Sequence, residues 1–197
     1  MNYAQTKSAL EAKRRQISAL RDEMRALQLA VEPQEIADYE LTGWNGPVRL
    51  SQLFGDKRDL ILIFNMGRAC TSCTMWADGF NGVYDHLASR AAFVVCSPNP
   101  VEVQKAFAAS RGWRFPMVSH AGGSFAEDLG YRHRGDEFDE RLGGWNPGVC
   151  ALRREEDRIV RLSDAELGPL DDFCVVYHLF EMIPGGDAGF VPKYAYG

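Results

Sequence analysis

Leu60-Ile61-Leu62-Ile63-Phe64, then Asn65-Met66-Gly67-Arg68-Ala69, then Cys70-Thr71-Ser72-Cys73-Thr74-Met75-Trp76-Ala77-Asp78-Gly79-Phe80, is the stretch on which the fold turns. A short unbroken apolar run bounded by turn residues reads as a buried strand. The residues from Asn65 onward predict a turn and then a helix, with two cysteines one helical turn apart at its start. Side chains three apart on a helix share a face, and their α-carbons sit roughly 5–6 Å apart, within the reach of a disulfide. A thiol at a helix start also meets unpaired N–H groups and the positive end of the helix dipole, which favours the thiolate. The pattern points to a dithiol redox site.

Outward from that stretch, Ala92-Phe93-Val94-Val95-Cys96 is a second continuously apolar strand of the kind found in parallel sheets. Asn99-Pro100-Val101-Glu102 supplies an N-cap residue, a proline at the first helical position and a glutamate at the third. That helix is expected to run to Arg111, with Gly112 ending it. Phe115–Ser119 reads as a brief strand, Ser124–Leu129 as a short helix, and Tyr131–Gly144 mostly as loop. Val149–Leu152 and Arg158–Leu162 flank a charged turn and predict a hairpin. A last helix is expected from Leu170 to Met182, stopped by Pro184-Gly185-Gly186. Upstream, Tyr39–Gly43 alternates weakly, Trp44-Asn45-Gly46-Pro47 is turn chemistry, and Val48–Leu50 leads to a helical turn capped by Ser51.

The order βαβ, helix, hairpin, helix predicts an α/β thioredoxin-like domain over residues 33–197, a central mixed sheet with helices on both faces. Residues 1–32 form an N-terminal helical extension that Pro33 ends. Leu10, Ile17, Met24 and Val31 recur there at heptad spacing, joined by Leu20 and Leu27, with charged residues on most other positions. That seam suits a homodimer through a short coiled coil, or a helix lying across its own domain.

The 197 residues carry a formal charge of −5 with the two signs interspersed, as in Arg153-Arg154-Glu155-Glu156-Asp157-Arg158. No basic stripe speaks for nucleic acid, and no apolar stretch approaches membrane-spanning length. Without a secretory leader, the expected compartment is the cytoplasm, where paired cysteines do redox work or hold metal rather than staple a fold. Zinc would need a second Cys or His pair, which is not apparent, so no metal and no organic cofactor are expected.

The chain also resembles the uncharacterised bacterial family known as domain of unknown function 899, regarded as thioredoxin-like. The residues carrying the resemblance are Cys70 to Phe80, Gly112-Trp113-Arg114-Phe115-Pro116-Met117-Val118-Ser119, and Pro147-Gly148-Val149. The resemblance implies the fold and supplies no substrate.

Within this frame Cys70 is the candidate nucleophile and Cys73 the resolving thiol that displaces product from a mixed disulfide. Arg68 stands two residues earlier, where its charge would favour the Cys70 thiolate. Asp78, on the helix beyond the dithiol, is a candidate proton relay, with a solvated or capping carboxylate as the plainer alternative. Arg68, Trp76, Trp113, Asn146 and Pro147 are candidate substrate-binding residues, with core packing the plainer reading for the two tryptophans. Thioredoxins carry a cis-proline beside the dithiol, and Pro147 stands just before a strand in that place. A cis bond is expected there, leaving nearby backbone to pair with an extended substrate; the alternative is a trans turn. Cys96, Cys150 and Cys174 are expected in the core. His86, His120, His133 and His178 lack ligand-like spacing, and only His120, in a loop beside Ser119, is a candidate neighbour of the dithiol.

Three functions compete. The first is a thiol–disulfide oxidoreductase acting on a disulfide substrate with an external thiol reductant. The second is a thiol peroxidase: Phe115–Ser119 resembles a peroxiredoxin segment, and Cys70 occupies, relative to Cys73, the place of the threonine that precedes a peroxidatic cysteine by three residues. The third is a non-catalytic thioredoxin-like binding or scaffold protein.

Overall fold

The structure, a computed structural model, describes residues 2–132, 143–169 and 171–196. The chain divides into two compact units, Met1–Gln34 and Glu35–Gly197. The first is helix α1 (Tyr3–Ala30). A capping box starts it: Asn2 Oδ1 accepts the Gln5 N–H and Gln5 Oε1 accepts the Asn2 N–H. No residue of α1 is buried.

The strands are β1 (Gln34–Ile36), β2 (Glu40–Gly43), β3 (Gly46–Arg49), β4 (Asp59–Phe64), β5 (Ala92–Ser97), β6 (Met117–Ser119), β7 (Gly148–Glu155) and β8 (Arg158–Glu166). They form one mixed sheet in the order β1-β8-β7-β4-β5-β6-β2-β3. The strands β4, β5 and β6 run parallel, while β7 pairs antiparallel with both β4 and β8. The helices are α2 (Thr71–Arg90), α3 (Val101–Arg111), α4 (Phe125–Asp128) and α5 (Val175–Phe180).

Both faces of the sheet are covered, which is why β4 and β5 read as unbroken apolar runs. On one face Leu60, Leu62 and Phe64 pack with Cys96, Cys150, Leu50, Phe54 and Phe125. On the other, Ile63, Phe93 and Val95 meet Trp76, Ala77 and Phe80 of α2 and Ala108 of α3. The thioredoxin-like architecture with its N-terminal helix is therefore present. Because β4 to β6 are parallel, their carboxyl ends open on one edge, and the loop into α2 leaves from that edge.

Several local expectations are corrected. Asn99 does not cap α3 with its side chain, which accepts instead from the Arg68 N–H. Ser51 lies inside a 3-10 turn (Leu50–Phe54) and donates both its N–H and its hydroxyl to Asp38. The last helix begins only at Val175, because the Asp171 carboxylate ties Gly168, Phe173 and Cys174 N–H groups into a turn. Leu170, His133 and most of the 131–144 loop lie outside the described residues.

Candidate functional site

Asn65 comes directly after β4 and shapes the turn into α2. Its Oδ1 accepts the Gly67 N–H at 2.7 Å, and its Nδ2 donates to the Cys73 carbonyl at 3.4 Å, joining strand to helix start. Gly67 takes φ +97, a left-handed value that favours glycine. The Cys70 N–H then donates to Gly67 O at 3.1 Å, closing the turn that delivers Cys70 to the N-cap of α2.

At the cap, Cys70 Sγ accepts the Cys73 backbone N–H at 3.0 Å. Both cysteines are buried and unpaired, so this is the dithiol form. Their protonation is driven apart. Cys70 is pulled below the ordinary thiol range, first by the Cys73 thiol donating to it and then by the amides of Cys73 and Ser72, against the opposing effect of burial. Cys73 is pushed well above that range by the same hydrogen bond, by burial and by the charge on Cys70. Ionisation of the pair is therefore favoured at Cys70 over Cys73.

Cys70 lines an open cleft of about 480 Å³, whereas Cys73 does not. Met66, Trp76, Pro147, Leu167 and Val191 supply the apolar part of its wall, and Thr71 and Ser72 line it beside Cys70. Within that wall the Trp76 indole N–H is buried without a hydrogen-bond partner.

The candidate residues separate under this geometry. Cys70, Trp76 and Pro147 come together at the cleft. Arg68 is exposed and lines a separate groove with Glu102 and Phe107, while the influences that lower Cys70 are the hydrogen bonds at the start of α2. Trp113 is packed among Phe107 and Phe115, its indole N–H donating to Asp78 at 2.8 Å. Asp78 is clasped by Trp113 and by two nitrogens of Arg111, an arrangement that ties α2 to α3, and it does not line the Cys70 cleft. Asn146 is absent from the cleft wall; its N–H donates to Tyr131 O.

Pro147 corrects the sequence expectation. No described peptide bond is cis. Directly before β7, the Pro147 carbonyl accepts the Leu167 N–H at 3.1 Å. That acceptor is therefore taken within the chain rather than offered to an extended substrate. His120, at the end of β6, packs with Phe64 and Trp145 and is not part of the cleft wall. Among the described residues no cluster of three or more His, Cys, Asp or Glu is placed to hold a metal ion. Nor is any described helix long and apolar enough to cross a membrane.

Sequence reasoning missed Asn65, Asn99, Leu167, Val191 and Tyr194. A polar residue directly after a buried strand was a usable signal for Asn65. The Tyr194 hydroxyl donates to Arg68 O at 2.7 Å, across 126 residues, and nothing local announces it.

Comparison with known proteins adds three findings. The family described as "Bacterial protein of unknown function (DUF899)" matches residues 1–191. Two Mycobacterium tuberculosis sequences, each named "Putative peroxiredoxin", are 34% identical over 99 residues, 49% of this chain; the match spans 64% of their length. Among solved structures, peroxidoxin BcpB of Mycobacterium tuberculosis is 30% identical with a TM-score of 0.56, covering 68% of this chain and 84% of that one. A Xanthomonas campestris peroxiredoxin Q shares the fold at 18% identity and a TM-score of 0.55, over 66% of this chain and 80% of its own.

Proposed function

The chain belongs to the DUF899 family of bacterial proteins of unknown function, and from that membership and the site geometry we propose that it is a thioredoxin-fold thiol peroxidase. The observation that carries the reading is the asymmetric pair: Cys70 lines an open cleft at the N-cap of α2, its Sγ accepting the Cys73 N–H, with its pKa lowered while that of Cys73 behind it is raised. The likeness to peroxiredoxins favours peroxide as the oxidant over a protein disulfide.

In this mechanism the Cys70 thiolate attacks the distal oxygen of a hydroperoxide. The O–O bond breaks, the alcohol leaves with a proton from solvent, and Cys70 becomes a sulfenic acid. Cys73 then attacks that sulfur; its thiol proton leaves with the hydroxide as water, and the Cys70–Cys73 disulfide forms. An external dithiol restores both thiols by exchange and is itself oxidised to a disulfide. Asn65 holds the turn, Trp76 walls the cleft, and the amides at the start of α2 steady the Cys70 anion.

The test is peroxide consumption by Cys70→Ser and Cys73→Ser variants. Cys70→Ser is expected to abolish turnover, and Cys73→Ser to allow one equivalent of peroxide per chain and then stop. Sustained consumption by Cys70→Ser would move the nucleophile to Cys73, the position that the threonine spacing of peroxiredoxins suggests. A second reading, thiol–disulfide oxidoreductase, is favoured by the same thiolate–thiol asymmetry. It wins if turnover with a model disulfide exceeds turnover with peroxide. If neither substrate turns over, the scaffold reading stands. We read α1 as a pairing surface for a second copy, because its heptad residues Leu10, Ile17, Leu20, Met24 and Leu27 are all exposed.

A further inference from the structure

The backbone of Arg68 is held at both of its polar groups by side chains distant in sequence. Its N–H donates to Asn99 Oδ1 at 2.7 Å, from the loop between β5 and α3. Its carbonyl accepts the Tyr194 hydroxyl at 2.7 Å, from the C-terminal tail. An exposed loop residue ordinarily leaves such groups to water. Here the same carboxamide of Asn99 also fills the space beside Gly67, where an added Cβ would lie 2.5 Å from Oδ1. Two residues beyond Arg68 the turn closes on Gly67 O and presents Cys70 Sγ to the Cys73 N–H.

Tyr194 is fixed in its turn. Its ring meets Phe107 edge-on, with centroids 6.1 Å apart, and its carbonyl accepts from Arg111, the partner of Asp78. The tail also places Val191 in the wall of the Cys70 cleft.

We propose that Asn99 and Tyr194 are positioning residues of the dithiol: by holding both polar groups of the Arg68 backbone they set the Gly67–Cys70 turn, so the C-terminal tail tunes the Cys70 nucleophile as well as flanking it. The phenol suits that task. Burial, and then the Cys70 sulfur when it ionises, raise its pKa, so it stays a protonated donor as Cys70 loses its proton. This inference rests on Cys70 being the nucleophile and not on which oxidant it meets.

The experiment is the pH profile of Cys70 alkylation by iodoacetamide in the full chain, followed by mass spectrometry. Its midpoint reports the thiol pKa and its high-pH plateau reports access. Tyr194→Phe keeps the ring against Phe107 and removes only the donor. We expect the midpoint to rise, so that the rate at neutral pH, relative to the plateau, falls about fivefold, the effect of one hydrogen bond. Asn99→Ala removes the other anchor and is expected to shift the midpoint in the same direction; it carries the test alone if the tail variant fails to fold. A tail that merely covers the cleft would raise the plateau and leave the midpoint in place, and that result in both variants overturns the proposal. Because no turnover is measured, a protein inert towards peroxide whose midpoint still moves would lose the peroxidase reading and keep this one.

Discussion

Replacing Cys73 by alanine tests the electrostatics of the site at their source. The largest influence lowering Cys70 is the thiol of Cys73 donating to it; the Cys73 amide N–H is a separate and smaller one. Alanine removes the first and keeps the second. A hydrogen bond to a charged group contributes about 1.5–3 kcal/mol, and one pKa unit corresponds to about 1.4 kcal/mol. The bond favours the anion, so its loss must raise the Cys70 pKa. The thiolate fraction at neutral pH, and with it the alkylation rate, then falls by up to about 10–100-fold. The assay is iodoacetamide labelling of Cys70 across pH. The buried sulfurs of Cys96 and Cys150, both raised by burial, contribute no background. A midpoint unchanged or lowered in Cys73→Ala would refute the account of a thiol-stabilised anion and leave the helix start as the only source of activation.

Four other outcomes are expected. Asp78→Ala takes the carboxylate from the Arg111 guanidinium, which keeps the Tyr194 carbonyl, and the acceptor from the Trp113 indole N–H at a half-buried site, so it should destabilise by about 1–2 kcal/mol in urea denaturation. The pH profile of its turnover should keep its shape; loss of one limb would restore a proton-relay role. His120 is nearly inaccessible, and burial lowers its pKa from 6.5 to about 4. The unfolded chain therefore takes up a proton that the folded chain refuses, and stability falls as pH drops from about 6.5 towards 4. His120→Phe should remove about 2–3 kcal/mol of that acid sensitivity in denaturation curves at pH near 4.5. Gly67→Ala meets both a left-handed backbone and the Asn99 carboxamide, so a loss on the order of 2 kcal/mol and a slower Cys70 are expected from melting and alkylation together. Sedimentation at micromolar concentration should show a dimer that Ile17→Lys with Leu20→Lys dissociates; a monomeric parent chain would remove the pairing role of α1.

Much of the fold was legible because its signals are local. The apolar runs of β4 and β5, the turn chemistry between β7 and β8, and Gly112 at a left-handed helix end each speak within a few residues. Where reading failed, a distant partner prevailed over the neighbourhood. Asn99-Pro100-Val101-Glu102 has every mark of a helix cap, yet the carboxamide goes to Arg68, 31 residues back. Asp171 converts the expected start of a helix into a turn, which no propensity scale distinguishes from a first helical turn. Pro147 took its expectation from a position in a pattern, while its conformation follows the pairing of β7 with β8. The two cysteines were visible at once; the tyrosine held across 126 residues was not.

In the proposed mechanism, the order in which the two sulfurs act follows from their surroundings rather than from their order in the chain. Cys70 and Cys73 are nearly equal in exposure, at 6% and 3%, so solvent access alone does not choose between them. The choice comes from what each faces. Cys70 borders an open cleft, while Cys73 lies behind it with its carbonyl tied to Asn65 and its thiol turned to Cys70. An oxidant too large to pass Cys70 can react only there. In that mechanism the buried thiol needs no encounter in solution, because its own backbone N–H is bonded to the sulfur that it attacks. Raising the pKa of Cys73 thus slows its own attack on solutes and preserves the proton that water formation requires. If a bulky hydroperoxide and a small one were consumed at equal rates by a variant keeping only Cys73, the cleft would not be selecting the sulfur, and this ordering would fail.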